Sequence, residues 1–210
     1  GYIARQIAVP GTFLDVEEMI VLRNGLNAVN EIIGFLSGRD ENMYPCLREF
    51  SRGVEGFPEI AGHVDTILDK FGKVKDSASP ELYSIRRTIR DREGQVSKRL
   101  QTILSKAQSD GYVDPDAVVS IRDGRAVIPV PAANKRKING FIHDESATGK
   151  PFYIEPVEIV EINNELKELE YAERREVVWI LTDFTEKIRP DAPGIERAGE
   201  YLAAMDLIRA

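Results

Sequence analysis

Cysteine occurs once in the 210 residues, at Cys46, and histidine only twice, at His63 and His143. A lone cysteine excludes an internal disulfide framework and fits a reducing compartment. Two imidazoles and one thiol are too few for a zinc site built on nitrogen and sulfur ligands. No apolar stretch approaches the ~20 residues that span a bilayer. The opening residues show no basic-then-apolar leader pattern. The first residue is glycine rather than methionine, so a piece of a longer chain is expected, and the cytoplasm is the expected location.

What is present is enough for a core. Apolar residues make up 42 % of the chain, and the length suits one domain, or one domain with a small insert. The formal net charge of −7 argues against a uniformly basic nucleic-acid binder. The charge is unevenly spread, however. From Glu81 to Gly140 there are twelve Lys+Arg against seven Asp+Glu, and from Phe141 to Ile180 four against ten. The first stretch is therefore basic and the second acidic.

Apolar spacing predicts a helix over 15–37, with Val16, Met19, Ile20, Leu22, Leu26, Val29, Ile32, Ile33 and Leu36 in its stripe, and a second over 58–71 with Gly72 as its stop. Ser79-Pro80-Glu81 is a strong helix start: a capping hydroxyl, a proline at the first position and an acid near the positive end of the dipole. That helix is expected to reach Ser109, with Leu82, Ile85, Ile89, Val96, Leu100, Ile103 and Ala107 at a/d spacing. The pattern then turns β-like. Residues 118–122 and 125–130 flank Asp123-Gly124, a tight hairpin signal. Residues 138–143 and 151–154 form a second strand pair. Helical spacing returns after Pro156, through Ile159, Ile162, Leu166, Leu169, Val177, Ile180, Phe184 and Ile188. Pro190 to Pro193 breaks the chain before a last helix over 195–208. The expected fold is mainly α: long antiparallel helices forming a lever, with a small inserted antiparallel β clamp at the far end. By position this gives a first helical part at 1–117, the β insert at 118–156 and returning helices at 157–210.

Three chemistry-bearing patterns fail on inspection. His143-Asp144-Glu145-Ser146 holds the letters of a hydrolase triad. Neighbours on a strand alternate in direction, though, and cannot form a relay. Gly149-Lys150 lacks both the upstream glycine and the following Ser or Thr of a phosphate loop. The run Glu158, Glu161, Glu165, Glu168, Glu170, Glu173 and Glu176 reads as a solvated helix face rather than as metal ligands. Asn163-Asn164, within the apolar seam, reads as a register-fixing pair. No catalytic or metal site is therefore assigned. The candidate nucleic-acid contacts are Arg122, Arg125, Lys135, Arg136, Lys137, His143 and Lys150, in or beside the sheet, where cations pair with phosphates. Few aromatics accompany them (Phe141, Phe152, Tyr153), which gives base stacking less support.

Several of these segments, in this order, resemble the second branch of the bacterial MutS family. They are Arg122-Asp123-Gly124-Arg125; Val127-Ile128-Pro129-Val130; Gly140-Phe141-Ile142-His143-Asp144 with Ser146 and Gly149; Phe152-Tyr153-Ile154-Glu155-Pro156; and Asn163-Asn164-Glu165-Leu166 with Glu168-Leu169. Gly72, Asp76, Ala78, Ser79, Leu82, Ile85 and Arg86 fit the same branch. The resemblance runs from about Asp69 to Leu181. It implies the lever and clamp region of a longer, dimeric protein. In that protein a separate domain uses ATP and Mg, and a small nuclease domain often follows. It also implies DNA as partner, in suppression of recombination through branched structures and in DNA repair, or the ribosome in rescue of collisions. The chain itself is expected to need no cofactor and to meet no membrane. The competing expectation is a dimerisation and docking stalk of a ribosome-associated factor, motivated by the acidic helix.

Overall fold

A computed structural model of the chain describes residues 1–40, 42–145 and 151–209. It is mainly helical with one small antiparallel sheet. The chain order is α1 Tyr2–Ala8, α2 Val16–Ser37, α3 Pro45–Phe50, α4 Pro58–Ile67, α5 Pro80–Ser109, β1 Ser120–Arg122, β2 Arg125–Val130, β3 Gly140–Glu145, β4 Phe152–Pro156, α6 Val157–Ile188 and α7 Ala192–Arg209. Short 3-10 turns lie at Asp76–Ala78, Ala132–Asn134 and Arg189–Asp191. The residues group into two compact units: Gly1–Tyr83 with Arg175–Ala210, and Ser84–Arg174.

The first unit is a helical body around one apolar cluster. Ile7, Leu14, Met19, Leu68, Leu82 and Phe184 are among its fully buried members. Full burial of such a side chain contributes about 1.5–3 kcal/mol. The entry to α2 is a capping box. The Asp15 carboxylate accepts from the Glu18 N–H at 2.8 Å, and the Glu18 carboxylate accepts from the Asp15 N–H at 2.9 Å. This satisfies two amides that a helix start leaves open. Thr185, on α6, is buried but satisfied: its hydroxyl accepts from the Leu14 N–H at 2.9 Å and donates to the Leu181 carbonyl at 2.8 Å. Arg189 closes the other side, donating to the Ile7 carbonyl, to the Val9 carbonyl at 2.5 Å and to the Thr12 carbonyl at 3.2 Å.

Two expected boundaries move in this unit. The helix expected over 58–71 stops at Ile67. Leu68 is extended and bridges Val74. The reason is Asp69, whose carboxylate accepts from the N–H groups of Phe71 and Lys73, both at 2.8 Å. A side chain that binds its own downstream amides offers the backbone an alternative to the helix. The same N–H groups, that of Lys73 first, hold the Asp69 carboxyl below the usual range. The last helix starts earlier than expected, at Ala192, because Pro193 is tolerated in a first turn. Helices α1 and α3 carry too few residues to show a period, and spacing did not predict them.

In the second unit the α5 and α6 residues run antiparallel. Arg86 Nε meets Glu173 Oε1 at 2.7 Å, Arg92 Nε meets Glu165 Oε2 at 2.7 Å, and Arg99 Nη1 donates to the Glu158 carbonyl at 3.1 Å. As one number rises the other falls, which fixes the direction of pairing. α5 starts and ends where its signals said: Ser79 Oγ accepts from the Leu82 N–H at 2.9 Å, and Pro80 is the first helical residue. The sheet order is β1-β2-β4-β3, all antiparallel. Both hairpin partners were expected; the β2–β4 pairing joins them. Asp123 and Gly124 form the first turn with φ of 49° and 70°, the left-handed pair that a two-residue hairpin needs. A Cβ at Gly124 would displace only the flexible end of Lys167, so the positive φ is what favours glycine there. Gly140 is required for a different reason. A Cβ there would run into the Glu155 carbonyl oxygen of the neighbouring strand.

Paired residues share a face of a sheet. One face carries Ala126, Ile128, Val130, Phe152 and Ile154, buried with Val96, Leu100, Leu104 and Ala107 of α5 and Ile159 and Ile162 of α6. The opposite face carries Arg122, Arg125, Tyr153, Glu155 and Phe141. The β3–β4 register shifts between Ile142 and Asp144, so His143 occupies a bulge.

Candidate nucleic-acid interface

The second, polar face of the sheet is organised around Glu155. This residue is only 1 % exposed. A buried carboxylate is costly unless it is paired and hydrogen-bonded, and here both conditions hold. Arg125 Nη1 donates to Oε1 at 2.8 Å, Asn163 Nδ2 donates to the same oxygen at 2.7 Å, and His143 Nε2 lies 2.5 Å from Oε2. The second arm of Arg125 donates to Asn164 Oδ1 at 2.7 Å. Four segments therefore meet on one carboxylate: β2, β3, β4 and the first turns of α6. Asn163 and Asn164 join helix to sheet through Glu155 and Arg125.

Arg122 takes a different position. Its guanidinium lies over the Tyr153 ring, 3.9 Å from the centroid. Because β2 sits between β1 and β4, the side chain crosses one strand to reach that ring. Cation–π contacts of this kind contribute about 0.5–1 kcal/mol when exposed and more when desolvated.

The basic triplet forms a separate group in the connection from β2 to β3. Lys135 Nζ lies 4.6 Å from the Phe152 centroid and Lys137 Nζ 5.7 Å from that of Tyr112. All three of Lys135, Arg136 and Lys137 are exposed. The ammonium groups of the two lysines thus lie over aromatic faces, as cation–π contacts. Of the seven candidate residues, the structure brings together Arg122, Arg125 and His143 on one sheet face. It sets Lys135, Arg136 and Lys137 in one turn. Lys150 lies outside the described residues. Glu155, which holds the face together, was not a candidate. The signal for it was faint: an acid in a short strand, at a position that alternation alone leaves on the polar side.

Among the described residues, no three His, Cys, Asp or Glu side chains converge as a metal site would require. No helix among them is long and apolar enough to cross a membrane. A cavity of about 570 Å³ lies in the first unit between α1, α2 and α7. Its lining is apolar apart from Glu17 and Glu18. Glu18 is already engaged in the capping box, so this cavity offers no reactive constellation.

No family model matches the chain. Curated proteins do. The chain is 36 % identical over 200 residues to the endonuclease MutS2 of Pelotomaculum thermopropionicum, covering 95 % of this chain and 25 % of that protein. It is 34 % identical over 197 residues to that of Streptococcus equi subsp. zooepidemicus, covering 94 % and 25 %. It is 32 % identical over 202 residues to that of a Geobacillus species, covering 95 % and 26 %. The chain is homologous to one segment of the MutS2 proteins. It spans about a quarter of the length of the MutS2 relatives it matches. The family resemblance of the sheet motifs thus extends across nearly the whole chain.

Proposed function

We propose that this chain is the lever and clamp segment of a MutS2-type protein, and that its sheet-bearing unit contacts nucleic acid without doing chemistry. The observation that carries the reading is the exposed run Lys135-Arg136-Lys137, held in one turn of the β2–β3 connection. Cations so placed meet phosphates, and such contacts weaken as salt rises. Similarity to one segment of the MutS2 relatives supports the assignment, and the name those proteins carry points to DNA. Branched or duplex DNA is the proposed partner, in recombination suppression or repair. In this reading ATP and Mg, any nuclease activity and the dimer contact belong to other parts of the longer protein. This sequence has no phosphate-loop pattern to hold a nucleotide. The long helices serve to couple the clamp to those parts.

The test is reversal of the triplet, Lys135→Glu with Arg136→Glu and Lys137→Glu, in the intact natural protein that carries this chain. Binding to branched DNA and to ribosomes is measured across a salt series. The expected result is weaker DNA binding and a salt slope shallower by about 0.9 for each phosphate that the protein no longer neutralises. DNA binding that ignores the reversal would overturn the proposal. Loss of ribosome binding alone would overturn DNA as the partner and make the ribosome the surface that this turn meets.

A further inference from the structure

The polar face of the sheet carries an apolar residue that neither the core nor the Glu155 network uses. Phe141, on β3, is 58 % exposed. It pairs directly with Glu155, so its ring stands on the face that also holds Tyr153, Arg122, Arg125 and His143. Tyr153 is two residues from Glu155 on β4 and is the diagonal neighbour of Phe141, a spacing of about 7–8 Å in an antiparallel pair. Two aromatic positions thus lie side by side on one face, and one of them already stacks a planar cation. The carboxylate between them is paired with Arg125, His143 and Asn163, so it does not repel an anionic ligand as a free carboxylate would.

An exposed ring on such a face fits one class of ligand. In a duplex the bases are stacked on each other and their faces are covered. In a single strand they are open and stack on aromatic side chains or on guanidinium planes. We propose that this face is a stacking platform for unpaired nucleotides, with Phe141 receiving a base beside the Arg122–Tyr153 stack. The inference rests on the nucleic-acid reading above and narrows it: the clamp segment grips the single-stranded part of a branched structure.

The experiment compares Phe141→Ala, Phe141→Tyr and Phe141→Leu with the unchanged intact protein. The probes are labelled oligothymidylate of about 20 nucleotides and a blunt duplex of matching length. Phe141→Ala is expected to weaken oligothymidylate binding about tenfold while duplex binding stays within about twofold. Phe141→Tyr keeps the affinity and Phe141→Leu loses it, because stacking needs a ring. Thermal unfolding of the variants is expected to match the parent, since the side chain is exposed. The inference is overturned if Phe141→Ala binds oligothymidylate as the parent does. It is equally overturned if Phe141→Leu retains affinity, if duplex binding falls in step, or if the substitution changes only self-association. The triplet reversal, run in parallel, separates the two proposals. It lowers binding to both probes if the nucleic-acid reading holds, whatever Phe141 does, and changes neither if that reading fails.

Discussion

The two compact units solve burial in opposite ways. The first packs Phe184, Leu82, Met19 and their neighbours into an apolar cluster, and its polar groups act at helix ends or, like Thr185, bridge two backbone groups. The second also has an apolar face on its sheet, but on the other face it buries a charge. Replacing a buried ion pair by apolar groups is often neutral or stabilising. The Glu155 network is therefore weak as a source of stability. It is better understood as a fixture that holds Arg125 and His143 at set positions on the polar face of the sheet. One unit is built for cohesion, the other for presentation.

The strongest test of that contrast is a cavity in the cohesive unit. Phe184→Ala should cost about 3–5 kcal/mol. Trp179 is the sole tryptophan and belongs to this unit, so its fluorescence in chemical denaturation reads the loss. A smaller effect is expected from Glu155→Ala. It strands Arg125 and the Asn163 amide, and the partial exposure of Arg125 puts the cost at about 2–3 kcal/mol. A Glu155→Ala, Arg125→Ala pair should cost less than the sum of the two single changes, as a double-mutant cycle would show. Strict additivity would mean the two side chains do not act as one fixture. Smaller again is Asp15→Ala, which removes half of the α2 capping box at about 1 kcal/mol, read from the denaturation midpoint.

The smallest effect is one of pH. Burial first, then Lys187, holds the His63 imidazole below its ordinary 6.5, with Asp183 opposing. The unfolded chain therefore takes up a proton at higher pH than the folded one. The contribution is whole above 6.5 and is lost as pH falls below that value toward the depressed folded one. His63→Gln should flatten this part of the stability profile and leave the rest. An unchanged profile would show that His63 is not held neutral.

Much of the fold was legible because its signals are local. Ser79, Pro80 and Glu81 fixed the start of α5, and Asp123-Gly124 fixed the first hairpin. The a/d spacing named most of the side chains that end up buried on the long helices. The errors have local causes too. Asp69 ends α4 early through two amides that spacing does not report. The seven residues of α1 and six of α3 are too few for periodicity. The site was legible only as a set of cations. Its centre was not, because the burial of Glu155 depends on residues from β2, β3 and α6 arriving together. Asn163 and Asn164 were read as a register device on a helix seam, and their partners lie on the sheet.

The bulge at His143 has a consequence for the sheet's borders. Strands β1 and β3 are its two margins. A straight margin offers its unpaired amides and carbonyls to any passing extended chain, the usual route to strand addition and aggregation. Here β1 offers three residues, and β3 is kinked where the extra residue sits. The irregularity that turns His143 toward Glu155 thus also caps the sheet at four strands and discourages it from recruiting a fifth.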